Sequence, residues 1–131
     1  MIPRSSGAAQ YQEMDVLSMT PGQAIVYLYA QLVTSLRRAS RAATTNDAER
    51  RADDLSRAFA IVQELRVSLN TDAGPMAHQL AAIYVWFSGE LMALSAKHDE
   101  ARLTKLIELV AALHQAWDGA AQRVTFMPGR E

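Results

Sequence analysis

The stretch MTPGQAIVYLYAQL, residues 19–32, decides the fold. Thr20 has a side-chain oxygen suited to cap a helix, and Pro21 stands at the first helical position, where its missing N–H costs nothing. Gln23, three residues after the threonine, completes a capping box. From there Ile25, Leu28, Tyr29, Leu32 and Leu36 fall at offsets 0, 3, 4, 7 and 11, one face of a helix. The spacing predicts a first helix running to about Ala43.

Three further helices follow by the same logic. The polar stretch TTNDAE breaks the chain, and Asn46 with Glu49 repeats the capping-box spacing. A second helix runs from there to about Leu69, with Leu55, Ala58, Val62, Leu65 and Leu69 as its stripe. NTDAGP breaks the chain again. A third helix, from about Pro75 to Lys97, lines one face with Met76, Leu80, Ile83, Tyr84, Phe87, Leu91 and Leu94. After KHDEA, with Asp99 as N-cap, a fourth helix runs to about Gln122 on the stripe Leu103, Leu106, Ile107, Val110, Leu113 and Trp117. The breaks are short, so neighbours run antiparallel. The expectation is an all-α, up-down-up-down four-helix bundle.

Ahead of the bundle, residues 1–19 have no sustained pattern. Pro3, Ser5, Ser6 and Gly7 precede a set of apolar residues among polar ones: Tyr11, Met14, Val16, Leu17 and Met19. Such a segment is too short to hold a helix by itself. The organisation read from the sequence is an N-terminal arm over 1–19, one bundle domain over 20–122, and a loose tail over 123–131.

Composition agrees and excludes several classes. Half of the 131 residues are hydrophobic while glycine and proline are scarce, the profile of a helical protein. A net charge of −1 provides no general attraction for nucleic acid or anionic lipid. The absence of cysteine rules out disulfides and thiolate metal sites and suits a reducing compartment. No apolar run reaches the roughly 18 residues of a membrane span, and MIPRSSGAAQ lacks the apolar stretch of a secretory signal. The reading is a soluble, cytoplasmic protein without stable membrane insertion.

Catalytic chemistry finds no foothold. Bundles that hold two metals use Glu-x-x-His pairs, and none of His78, His98 or His114 has a glutamate three residues before it. His78 in MAHQLAA has no lysine placed to steer a phosphate, which disfavours a histidine phosphotransfer module. No serine has an assignable histidine–carboxylate pair. The expectation is no enzyme, no metal and no cofactor. Arg37, Arg38 and Arg41 in RRASR complement the dipole at the end of the first helix, with contact to an acidic partner as the alternative.

What the four stripes leave over is more informative. The third helix carries a second apolar strip, Ala82, Val85, Trp86 and Met92, partly off its main face. Trp86 lies about 200° round from Tyr84, so it turns outward as a candidate contact point if Tyr84 turns inward, the alternative being a large residue that seals a bundle edge. Gly89, in the same helix, costs about 1 kcal/mol against alanine unless another backbone approaches there.

Several motifs stand in order along the chain: Tyr11 followed by Thr20-Pro21, Leu28-Tyr29, the run over residues 47–70, IYVWFSGELMALSAKHD through Tyr84, Leu91, Lys97 and Asp99, and Ala116-Trp117. Their order and spacing together resemble the FliS-type flagellin export chaperones. The resemblance covers about residues 10–121. It implies a cytoplasmic antiparallel bundle that binds the C-terminal segment of newly made flagellin in hydrophobic grooves. Such a protein prevents premature polymerisation and helps bring flagellin to the export gate of the flagellar secretion apparatus. In the family the arm folds over part of the groove and moves when client binds, and its tyrosine, here Tyr11, is implicated in contact with the gate. This chain departs from the family where a pair of arginines is often found, having Gly89 and Glu90. It also has Leu94 where alanine is common.

On this reading the groove is lined by Ile61 and Leu65 of the second helix and by Val85, Trp86, Gly89 and Met92 of the third. Tyr11, Val16, Leu17 and Met19 cover part of it. An uncovered groove of this kind favours weak self-association, so a weak homodimer is expected without client. The alternatives are an adaptor for another flagellar protein and, far behind, the phosphotransfer module.

Overall fold

The computed structural model describes residues 19–125, and every structural statement below concerns those residues. They form four helices: α1 (Pro21–Thr44), α2 (Ala48–Ser68), α3 (Pro75–Ala96) and α4 (Glu100–Thr125). A short 3-10 turn, Thr71–Ala73, lies between α2 and α3. No strand occurs among the described residues. Helix α1 packs on α2 and α4, and α2 packs on α3, whereas α3 and α4 touch only sparingly. The architecture is an all-α four-helix bundle, as the stripes predict.

The first helix begins where its sequence says. The Thr20 side chain accepts from the Gln23 N–H at 3.1 Å, and the Thr20 N–H donates to the Gln23 side chain at 3.0 Å. Both halves of the capping box are therefore made.

The α1–α2 corner corrects the expectation. Asn46 is not the cap of α2; it ends α1. Its φ of 56° puts it in the left-handed region. Its N–H donates to the Ala43 carbonyl at 3.2 Å, and the Asp47 N–H donates to the Ala42 carbonyl at 2.8 Å. Those two bonds form a Schellman motif, with asparagine where glycine is more usual. Asp47 is the true cap, accepting from the Arg50 N–H at 3.0 Å. Asp99 caps α4 in the same way, accepting from Arg102 at 3.1 Å. Helix α4 continues to Thr125, past the expected end near Gln122, because no proline stands in its way before Pro128.

The core is built from the predicted stripes. Tyr29, Leu32 and Leu36 meet Leu55, Val62 and Leu65, then Tyr84, Phe87, Leu91 and Leu94, then Leu103, Leu106 and Val110, all buried. Buried Ala39 and Ala58 add no bulk between α1 and α2. Met76 departs from its stripe: it is 70% exposed, since the first turn of α3 stands at the rim of the bundle. Polar links tie α2 to α3 across the core edge. Arg51 donates to the Leu94 carbonyl at 2.9 Å, and Gln63 donates to the Ser88 hydroxyl at 3.0 Å.

Candidate partner-binding surface

The outer side of α3 is a continuous apolar face. At 100° per residue, Ala82, Val85, Trp86, Gly89 and Met92 share an arc of about 120°, opposite Tyr84, Phe87, Leu91 and Leu94. All five are exposed: Val85 is 55% accessible, Trp86 48% and Met92 64%. Glu90 is the only carboxylate of α3, and the helix has no lysine or arginine. A helix apolar all round belongs inside a larger structure. Here its inner half is buried and its outer half is not.

Two residues missed in the sequence flank this face. Val67, 81% exposed, follows Gln63 by one turn, and the Gln63–Ser88 hydrogen bond turns that side of α2 toward α3. Leu109 follows Arg102 by two turns on α4, and Arg102 reaches α3 through Glu90. Both are apolar residues off their own stripes, and that was the available signal. Ile61 takes a different place. It is half-buried and lies two turns after Asp54, which lines a charged depression together with Arg38 of α1. Ile61 thus faces the α1 side of α2, away from Val85 and Trp86. Leu65 is a core residue rather than a groove wall beside the strip.

Gly89 has no neighbour within 4 Å of where a Cβ would stand, so the chain's own fold does not need glycine there. Gly89→Ala is expected to raise stability by about 0.5–1 kcal/mol, read as a higher urea midpoint. A loss of stability would mean that the helix is strained at that point.

A second apolar feature lies at one end of the bundle. A cavity of about 310 Å³ opens between the start of α1, the end of α2, the start of α3 and the end of α4. Its walls include Ile25, Leu65, Leu69, Leu80, Tyr84 and Trp117, with Met76 at the rim. Behind them the hydroxyls of Tyr29 and Tyr84 share a 2.8 Å hydrogen bond, and the Tyr29 ring lies 6.3 Å from the Trp117 ring. Burial pushes both phenols above their ordinary range, so both stay neutral. Trp117, read as core, is half-buried and forms part of this wall. Met19, the one arm residue that is described, is half-buried just before the cap of α1. Tyr11, Val16 and Leu17 lie outside the described residues, as does the tail beyond Thr125.

The departure at Glu90 has a structural consequence. Arg102 grips Glu90 with two hydrogen bonds of 2.7 and 2.8 Å, a planar fork across the sparse α3–α4 seam. Those bonds hold the Glu90 carboxyl below the ordinary value of 4.5, against the opposing effect of its burial. A carboxyl lowered in the folded state stabilises fully above its unfolded value, and that contribution is lost as pH falls through the folded value. The wild-type melting temperature is therefore expected to fall more steeply below pH 4.5 than that of Glu90→Gln. Parallel pH profiles would show that the fork is idle.

Other chemistry is sparse. Among the described residues no group of histidine and carboxylate side chains is placed to hold a metal. The charged depression between α1 and α2 mixes Arg38, Arg50 and Arg57 with Asp47, Glu49, Asp53 and Asp54, so it favours neither sign strongly. Arg41 stands in the last turn of α1, where its charge meets the helix dipole. No helix among the described residues is long and apolar enough to cross a membrane.

Comparison with known proteins gives the same direction. The family model described as "Flagellar protein FliS" matches residues 4–124. The flagellar secretion chaperone FliS of Bacillus subtilis (strain 168) is 30% identical over 112 residues, covering 86% of this chain and 84% of that protein. The match extends through all four helices, including the apolar face of α3, and on that extent the chain belongs to the FliS family of flagellar proteins.

Proposed function

We propose that this protein is a cytoplasmic flagellar export chaperone that holds the disordered C-terminal segment of flagellin. By holding it, the protein prevents premature polymerisation and presents the client to the export gate. The observation that carries this reading is the α3 face: Val85, Trp86, Gly89 and Met92 form an exposed apolar strip on a chain of this family. A client helix laid along it would use its own apolar stripe, the helix-in-groove mode. Gly89 lets the client backbone come close, and Val67 and Leu109 widen the contact on either side. Ordering such a segment typically buries about 1,000–3,000 Å² and costs about 2–5 kcal/mol, so an extensive apolar surface is required.

The arm has a part in the same reading. Tyr11, Val16, Leu17 and Met19 lie just ahead of the capping box that fixes where α1 begins. They form a weak, displaceable cover that limits homodimer formation while client is absent, and Tyr11 takes part in contact with the gate. No enzymatic step, cofactor or nucleic acid is involved.

The test is co-purification with flagellin that carries or lacks its last ~40 residues, the length scale of a segment that orders on binding. Retention of the full-length client alone supports the proposal. Equal retention of both forms, or of neither, refutes it, and capture of a different flagellar protein would favour an adaptor.

A further inference from the structure

The apolar strip of α3 is bordered on its α4 side by an ion pair. Trp86 and Glu90 stand one turn apart there. Arg102 grips Glu90 through Nε and Nη2, the side-on edge of the guanidinium. The pair is lopsided: the Glu90 side chain is 13% exposed and the Arg102 side chain 46%. Glu90 thus sits behind, and the guanidinium faces outward. A guanidinium has five N–H donors in a planar fork. Two are used on Glu90. The other three, on Nη1 and the outer side of Nη2, meet no acceptor among the described residues. Arg66, on α2, lacks such support from α3: its one side-chain bond runs back along its own helix to Gln63, at 3.1 Å.

We infer that the free edge of Arg102 grips a pair of client oxygens beside the apolar strip, with Glu90 as the positioning residue that holds the guanidinium in place. The inference rests on the chaperone reading above. Two client groups offer such oxygens. One is a side-chain carboxylate flanking the client's apolar stripe, which a planar fork binds with two bonds. The other is the last turn of the client helix, whose carbonyls have no partner inside the helix. Pre-organisation argues for a binding role. A loose arginine loses rotamer freedom when it binds, whereas this one is already fixed by folding. Asp99 and Lys105 flank Arg102 along α4 with opposite charges, so the preference for an oxygen acceptor comes from the fork itself. An apolar strip alone allows a client helix to slide. A directional contact one turn from Trp86 fixes its register and rejects a client cation at that point.

The experiment titrates the full chain with the flagellin C-terminal segment by calorimetry, at low and high salt. Arg102→Lys keeps the charge and loses the planar edge, and should weaken binding about 5-fold. Glu90→Ala gives the opposite sign to a simpler reading. If Glu90 only interrupts the apolar face, removing it tightens binding. If it holds Arg102, removing it weakens binding, by about 3-fold. Arg66→Lys is expected to bind as wild type. A loss in Arg102→Lys that shrinks at high salt assigns the carboxylate, and a loss that persists assigns the carbonyls; either supports the inference. In the nitrogen-labelled wild type, the Arg102 side-chain N–H signals are expected to shift on adding the segment. Urea midpoints check that each variant is folded, and if Glu90→Ala is not, Arg102→Lys and the wild-type signals decide. Wild-type affinity in Arg102→Lys, unchanged or tighter binding by folded Glu90→Ala, an equal loss in Arg66→Lys, or unshifted Arg102 signals overturns the inference and leaves the chaperone reading standing. Failure of the wild type to bind the segment at all sinks both.

Discussion

Trp86→Ala is expected to weaken binding of the flagellin C-terminal segment by about 2 kcal/mol, or roughly 30-fold, while changing stability by about 1 kcal/mol or less. The large effect on binding follows from position. Trp86 is half exposed at the middle of an apolar helix face that no other part of the described chain covers. Truncating it removes the largest side chain of the strip, and aromatic anchors of that kind dominate interface energies. The small effect on stability follows from its few contacts. Its ring meets Phe87 at 5.8 Å but lies outside the core. Calorimetric titration of wild type and variant measures the first effect, and urea denaturation the second. Unchanged affinity would remove the α3 face from the account.

Phe87→Ala, one residue further on, should do the reverse. Phe87 is 1% exposed and packs at 6.2 Å from the Tyr84 ring, in the centre of the bundle. Deleting its ring leaves a cavity that close-packed neighbours fill only in part, at a cost of about 3–5 kcal/mol. Domains of this size have about 5–15 kcal/mol in all, so the variant should be close to unfolding. Its urea midpoint is expected to fall sharply with little change in slope. A loss below about 1 kcal/mol would mean that the core has room to collapse around the truncated side chain, contrary to the packing described.

The contrast between neighbours 86 and 87 shows which parts of the molecule were legible beforehand. Signals confined to one helix could be read directly: the Thr20–Gln23 box, the Asp99 cap and the helical period that sends Phe87 inward, whereas Trp86 could equally have sealed a bundle edge until the packing showed it exposed. Signals that depend on two elements could not. Asn46 read as a cap by spacing alone, because its left-handed φ and its place between two helix ends emerge only when the corner closes. Ile61 and Val67 both stand off the centre of α2's stripe, and only the side on which α3 docks decides which of them borders the apolar strip. The Tyr29–Tyr84 hydroxyl pair joins residues 55 positions apart, so no local pattern announces it. Glu90 read as a departure from family pattern, yet its partner Arg102 lies on the next helix.

The most direct test of the central claim uses the absence of cysteine from the chain. A single Met92→Cys substitution places one thiol at the C-terminal end of the exposed strip, and Arg41→Cys places one on the outside of α1. Each is treated with a water-soluble maleimide, alone and with saturating flagellin C-terminal segment. Occupation of the α3 face predicts that alkylation of M92C slows at least about 10-fold on adding the segment, while R41C reacts as before. If the thiol in M92C stays fully reactive in the saturated complex, the client lies elsewhere and the account is wrong.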